Sequence, residues 1–406
     1  MSRAKVEREG EKRDAQRLLR DPAAPIRFVR MLGTARRLAG TESQALNVVN
    51  RLPDYGYEVH VVWNDIANPE IPKTLRPEVT WHSLGVLRKR DPRILWRAYR
   101  LFRRLRPDVF MGSMLPAVCW GRAAAIAAGI PVVIAHSGSC HPTGSVWVRA
   151  FDQLLVRGTD VFSGNSRRII AVEKQRIGRP HLPTEIFLNN MDIEQFKQAM
   201  SGGADLRRLV GADAETVMFI AVGTFRWEKG YDVLVDAWAR LRPSSGQARL
   251  VIVGGGDGLE KTKAVAEELG IAHTVAFPGW RDDVPSLMAG ADVFVLSSVS
   301  EGSPNVLLEA GAAGLAVVAS DARGSNVREL VVEGVSGLIV EPRSAEGLAE
   351  ALATLLDMSP EQRRKMGRAG YDHVAENFSF DSAKNTVAKI DSVCRRILRE
   401  KGCLQA

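Results

Sequence analysis

The chain has 406 residues, 45% hydrophobic and 25% charged, which is too long for one usual core and too apolar for a disordered chain. Its net charge of +8 is uneven: residues 1–200 hold 32 Lys and Arg against 19 Asp and Glu (net +13), whereas residues 201–406 hold 23 against 28 (net −5). The first half is therefore expected to meet something anionic, for which nucleic acid, membrane lipid and phosphorylated small molecules all qualify.

Residues 1–25 alternate charges without an apolar stretch, which reads as a charged tail and not as a signal peptide. Ile26 to Leu32 (IRFVRML) reads as a strand, and Ser43 to Leu52 as a helix with Ala45, Leu46, Val48, Val49 and Leu52 inward. Tyr57 to Trp63, Asp108 to Met114 and Pro131 to His136 read as further strands. Strands alternating with amphipathic helices imply a parallel sheet covered on both faces. Between them lies a strongly basic stretch, with nine Lys or Arg from Arg88 to Arg106 and an apolar stripe of Ile94, Leu95, Ala98, Leu101, Phe102 and Leu105. Two compatible readings stay open for it. One is an ordinary domain helix; the other is a face that docks on anionic lipid, with Trp96 or Tyr99 at the interface.

After Phe196 the pattern breaks into a polar, glycine-bearing stretch suited to a linker. A second series follows: strand Thr216–Gly223, helix Gly230–Leu241, strand Ala248–Gly256, helix Leu259–Leu269, then strands at Thr274–Gly279, Ala291–Ser298 and Ala316–Ser320. Residues 361–402 look wholly helical. The expected division is a first domain over 26–200, a second over 201–375, and a helix over 376–406 that returns to pack on the first. Both domains are expected to be α/β and Rossmann-like, facing each other across a cleft.

No run reaches the roughly 18 apolar residues of a membrane span; the longest, Ala123 to Ala135, is broken by Gly129 and Pro131. The cysteines, Cys119, Cys140, Cys394 and Cys403, lack metal spacing and read as reduced thiols. The expected location is cytoplasmic, with peripheral attachment at the inner face of the membrane if the basic stretch meets lipid.

The stretch SEGSPNVLLEAGAAGLAVVASD (Ser300 to Asp321) places Glu301 and Glu309 on either side of a helix start. Ser303 suits the N-cap, Pro304 the first helical position and Gly314 the close. Glu301 then lies in the loop at a strand's carboxyl end, and Glu309 about a turn and a half into the helix. Ligands of open α/β sheets bind at that edge. Helix-start amides suit phosphate, whereas carboxylates would repel it and instead accept O–H bonds from sugars. An anion site flanked by hydroxyl acceptors describes a nucleotide sugar. The plainer alternative is that both glutamates are solvated surface charges.

EGSPNVLLEA, an E-x7-E arrangement, resembles the signature of retaining glycosyltransferases of family 4, which have the GT-B fold. FIAVGTFRWEKGYDVLVDAW, LVIVGGGDGLE, VAFPGWRDDVPSLMAGADVFVLSS and ELVVEGVSGLIVEP are similar to the family's segments in the same order. The resemblance implies that Glu309 holds the ribose hydroxyls of the donor. It also implies that Glu301, with backbone at Gly302, Ser303 and Asn305, meets the donor sugar. Amides of Val306 and Leu307 would meet phosphate, and Arg226 and Lys229 would grip the diphosphate. The family's commonest arginine position holds Thr224 here, so Arg226 would take that duty. Trp280 and Arg281 fall in the nucleobase loop. RRLAGTESQALNVVNRL resembles the glycine-rich loop and first helix, with Gly40 and Thr41 near phosphate or acceptor and Ala39 in place of a glycine. His136 matches the family's active-site histidine, with His141 as competitor.

The implied reaction moves a sugar from a nucleoside diphosphate donor to a hydroxyl, with a lipid-linked acceptor in keeping with bacterial polysaccharide or glycolipid synthesis. No cofactor or metal is expected, because no D-x-D motif stands out. A non-catalytic nucleotide-sugar-binding relative is one alternative. An NAD-dependent oxidoreductase is another, suggested by VIVGGGDG, but Leu259 occupies the third glycine of that fingerprint. Nucleic-acid binding is not expected, because no aromatic stacking platform accompanies the basic half.

Overall fold

The structure is a computed structural model that describes residues 24–35, 40–88, 91–113, 117–138, 146–179, 181–203, 205–382 and 384–405. It divides into two compact units. The first holds residues 1–165, 170–187 and 386–406, and the second holds 166–169 and 188–385. Most of the tail over 1–25, together with Ala39 and His141, lies outside the described residues.

The first unit is a seven-stranded parallel sheet in the order β3-β2-β1-β4-β5-β6-β7. Its strands are β1 (Ile26–Ala35), β2 (Tyr57–Ile66), β3 (Val79–Ser83), β4 (Val109–Ser113), β5 (Val132–Ser137), β6 (Val161–Gly164) and β7 (Thr184–Ile186). The central strands β4 and β5 are buried almost throughout, as near-continuous apolar runs in a parallel sheet should be. On one face Val29, Met31, Val62, Phe110 and Val133 pack against Ile94, Ala98 and Phe102, the buried stripe of the basic helix Arg93–Leu105. Each such side chain contributes about 1.5–3 kcal/mol on burial.

The helix Thr386–Glu400 also belongs to the first unit, burying Val387, Ile390, Val393, Cys394 and Ile397. The Tyr57 hydroxyl donates to Asp391 at 2.9 Å, Arg395 donates to the Tyr55 carbonyl at 2.8 Å, and Arg396 pairs with Glu185 at 3.0 Å.

The second unit is a six-stranded parallel sheet in the order β10-β9-β8-β11-β12-β13. Its strands are β8 (Val217–Val222), β9 (Ala248–Val253), β10 (Val275–Gly279), β11 (Val293–Leu296), β12 (Ala316–Ser320) and β13 (Gly337–Val340). Alternation along β8 feeds two cores. Phe219 and Ala221 join Trp238 and Leu352 on one face, while Met218 and Ile220 join Leu307, Leu308 and Val374 on the other. In both sheets the third, second and first strands run one way from the centre and the fourth onward runs the other. That reversal is a topological switch point, between β1 and β4 in one unit and between β8 and β11 in the other.

Three sequence expectations change. The division falls between Phe187 and Leu188 instead of at 200, because the presumed linker folds into helices Ile193–Met200 and Leu206–Val210 within the second unit. Asp192 and Asp205 cap these helices by accepting backbone N–H bonds. Residues 361–402 are two helices, Pro360–Phe378 and Thr386–Glu400, and not one. The break lets the second of them leave the second unit for the first. Among the described residues, no helix is long and apolar enough to cross a membrane.

Candidate functional site

At the second unit's switch point, the chain leaving β8 runs through Gly223, Thr224, Phe225 and Arg226 to Lys229. Gly254, after β9, packs against this turn: a Cβ there would sit 1.8 Å from the Gly223 carbonyl oxygen. Gly230, at φ 63°, would likewise place a Cβ 2.3 Å from the carbonyl oxygen of Ser297. These contacts bring the β8 turn against the end of β11, and the Ser297 hydroxyl closes the seam by donating to the Lys229 carbonyl at 2.8 Å. Glycines of the GGGDG stretch thus serve backbone packing.

That closeness joins two residues 72 positions apart. Lys229 Nζ donates to Glu301 Oε1 at 2.5 Å, with the side chains 22% and 14% exposed. The Ser298 hydroxyl donates to the same oxygen at 2.8 Å. Burial, with the Glu301 charge nearby, pushes the Tyr231 hydroxyl well above its ordinary pKa.

Glu309 is the fifth residue of the helix Asn305–Ala312. It is partly exposed yet ringed densely enough by protein that loss of hydration pushes its carboxyl up to about 7. Its carboxylate makes no hydrogen bond or ion pair among the described residues. A carboxylate held dry and unpartnered at this edge is ready to accept from a ligand.

The helix begins one residue later than the sequence suggests. Pro304 occupies the N-cap in extended backbone (φ −72°, ψ 100°), and Ser303 caps nothing; its hydroxyl oxygen is buried without a partner. Gly302 is buried. Asn305 accepts from Asn189 Nδ2 at 2.6 Å. The Leu307 amide, expected to meet phosphate, already donates to the Pro304 carbonyl at 3.0 Å, while the Val306 amide has no acceptor among the described residues.

Arg226 is exposed and makes no ion pair among the described residues, and its carbonyl accepts from the Lys229 N–H at 3.0 Å. Trp280, 49% exposed, lies beside Gly255 and donates to Asp282 at 3.2 Å. Arg281 is held by both oxygens of Asp283 at 2.8 and 2.7 Å, which leaves Trp280 the more available ring-stacking surface of the two.

In the first unit, His136 is buried at the carboxyl end of β5, with Nδ1 3.0 Å from the Ser163 hydroxyl and its ring 6.5 Å from that of Phe187. Burial, and then the positive charge of Arg30, push its pKa down to about 3, so the imidazole is neutral. Gly40 and Thr41 open the helix Gly40–Val49, and Thr41 lies against Gly138, just beyond β5. Sequence reasoning missed Arg30, Ser113, Ser163 and Ser298. For Arg30 the signal was a second arginine, after Arg27, within the apolar run of β1.

Two doubly wound parallel sheets, each with polar groups at its switch point, define the GT-B architecture. Residues 38–194 match the family model Glycosyltransferase Family 4, and residues 205–373 match Glycosyl transferases group 1. Both halves of the chain are thus similar to glycosyltransferase families. It is 34% identical over 171 residues to the lipopolysaccharide core biosynthesis glycosyltransferase LpsE of Rhizobium meliloti, covering 42% of this chain and 48% of that protein. It is 32% identical over 212 residues to the GDP-mannose-dependent alpha-(1-6)-phosphatidylinositol monomannoside mannosyltransferase of Mycobacterium tuberculosis, covering 50% and 54%. The chain thus spans about half the length of these curated relatives. The solved structure of Anabaena HepE in complex with UDP superposes with a TM-score of 0.75 at 21% identity, covering 92% of this chain and all of that one.

Proposed function

We propose that the chain transfers a sugar from a nucleoside diphosphate donor to a hydroxyl acceptor, with retention of anomeric configuration. The observation that carries this reading is the pairing of Lys229 with Glu301 in the loop after β11 and, on the helix that follows, a Glu309 carboxylate with no partner among the described residues. One cation with two carboxylates suits a ligand that has both a pyrophosphate and a set of hydroxyls. Lys229, joined by Arg226, neutralises the diphosphate through charge-assisted bonds worth about 1.5–3 kcal/mol each. Glu309 accepts from the ribose hydroxyls. Glu301 accepts from the transferred sugar, beside the Gly302–Asn305 backbone. The free Val306 amide points the helix start at phosphate. In the first unit, the same reading assigns His136 to the donor sugar and the Gly40–Thr41 turn to phosphate or acceptor. Trp280 is assigned to the base.

The bond from the sugar's anomeric carbon to the diphosphate breaks and a bond to the acceptor oxygen forms on the same face. The acceptor's proton passes to the released diphosphate. The protein's part is positioning and charge stabilisation, which together supply much of the rate in such reactions. No metal is invoked, so turnover should survive EDTA. The names of the relatives favour a lipid-linked acceptor.

A screen of UDP-, GDP-, ADP- and TDP-sugars tests the proposal. One donor should release its nucleoside diphosphate and yield a product of unchanged anomeric configuration by NMR. No turnover and no calorimetric heat with any of them would sink it.

We also propose that the first unit docks on anionic lipid. Trp96 is 56% exposed on the helix Arg93–Leu105, with the Arg100 guanidinium 4.7 Å over its ring. Arg93, Arg103 and Arg104 are exposed on the same helix, and Leu87 (60%) and Trp81 (49%) are exposed nearby in sequence. Co-sedimentation with phosphatidylglycerol-containing vesicles, but not with pure phosphatidylcholine, is expected. It should weaken in Trp96→Ala and in high salt.

A further inference from the structure

The first unit's switch point holds a charge that its own fold does not answer. Arg30 sits on β1, level with Met111 on β4, and Ser113 at the end of β4 is level with His136 on β5 and Ser163 on β6. Side chains at matched positions of parallel strands project on one face, so Arg30, Ser113, His136 and Ser163 form a polar line near the carboxyl edge. Arg30 Nη2 donates to the Ser113 hydroxyl at 2.6 Å, bridging the two strands that flank the switch point. Its Nε and Nη1 have no acceptor among the described residues, and the residue is only 4% exposed.

Two other buried arginines show what a structural role looks like in this chain. Arg363 donates to the carbonyls of Leu355, Leu356 and Met358, closing a helix end. Arg122 also has Nε and Nη1 without partners among the described residues, but its charge is answered by the buried carboxylate of Asp152. Arg30 has neither carbonyls nor a carboxylate. Its neighbours along the line are two hydroxyls and a neutral imidazole. Burial alone lowers its own pKa to about 9, with no acid to oppose the shift. An unpaired buried guanidinium is costly to the fold, and its planar fork matches the oxygens of phosphate or carboxylate. Open α/β sheets take their ligands at this edge and at this reversal.

We infer that Arg30, with Ser113 and His136 beside it, receives an anionic oxygen group, phosphoryl or carboxylate, of a ligand entering at the first unit's switch point. The inference depends on the glycosyl-transfer reading only for the ligand's source. That source is either the donor's diphosphate or an anionic group on the acceptor.

The test uses the full chain and no transfer reaction. Thermal unfolding and calorimetry follow titration with inorganic phosphate and, separately, with UDP, GDP, ADP and TDP, on wild type, Arg30→Met, Arg30→Lys and Lys229→Ala. Phosphate should stabilise wild type and Lys229→Ala but bind Arg30→Met roughly tenfold more weakly or worse, with Arg30→Lys between. A nucleoside diphosphate response that Arg30→Met also loses assigns the group to the donor; one that it keeps, while Lys229→Ala loses it, assigns the group to the acceptor. Arg30→Gln replaces the methionine variant if that does not fold. A phosphate response equal in wild type and the Arg30 variants, or none in wild type, overturns the inference.

Discussion

The two switch points solve the placement of a cation in opposite ways. In the second unit Lys229 has a carboxylate at 2.5 Å and stays partly open to water. In the first, Arg30 is buried with two of its nitrogens lacking an acceptor among the described residues. A paired charge is settled before any ligand arrives, and a ligand must compete with Glu301 for it. An unpaired buried charge is a standing cost that only a ligand relieves. Cations at the switch points of two sheets of matching strand order, one within β1 and the other in the turn after β8, thus differ in what they contribute to the empty fold.

Replacing each cation is the most direct way to break this contrast. Lys229→Ala should lower kcat/KM by roughly 10²–10³, as expected for a lost charge stabiliser, measured as steady-state release of nucleoside diphosphate. It should also destabilise the protein, because Glu301 is left partly buried without its cation. Arg30→Met should do the reverse to the empty protein and raise its unfolding free energy by about 1–3 kcal/mol in urea titrations. A loss of stability there would erase the contrast.

Glu309 sharpens it from the acidic side. Its folded pKa of about 7 lies above that of an unfolded glutamate, so the native state holds the proton more tightly and the carboxylate costs stability as pH rises through 7. Glu309→Gln should therefore stabilise the protein on the order of 2 kcal/mol at pH 8 and much less at pH 5, read from paired unfolding curves. Hydroxyl donors on a ligand favour the ionised form, so donor KM should rise as pH falls below about 7. The smallest expected effect is Trp280→Ala, which should weaken nucleotide binding by about 1 kcal/mol and leave stability within about 0.5 kcal/mol.

The central strands could be read directly because β1, β2, β4, β5, β8, β9, β11 and β12 are buried runs whose composition alone marks them. The strand β3 could not, since three of its five residues are exposed at a sheet edge, and β7 has three partly buried residues and no apolar run. At the site, residue identities were visible but partnerships were not. Lys229 and Glu301 were named for different parts of a ligand, and only the packing of Gly230 on Ser297 makes them neighbours. Ser303 has an N-cap's composition, but the extended backbone of Pro304 moves the helix start past it. Arg30 escaped notice because β1 also carries Arg27, and only the strand order, with β1 between β2 and β4, shows that one of the two is buried at the centre.

The helix Thr386–Glu400 gives the chain a temporal asymmetry. The second unit's sequence is complete at Asn385, whereas the first unit waits for residues that leave the ribosome after all of the second. Domains fold as units during synthesis, at about 5–20 residues per second. The sheet begun earliest is thus the later to acquire its full cover, and until then the apolar surface destined for Ile390, Val393 and Ile397 is open to chaperones and proteases.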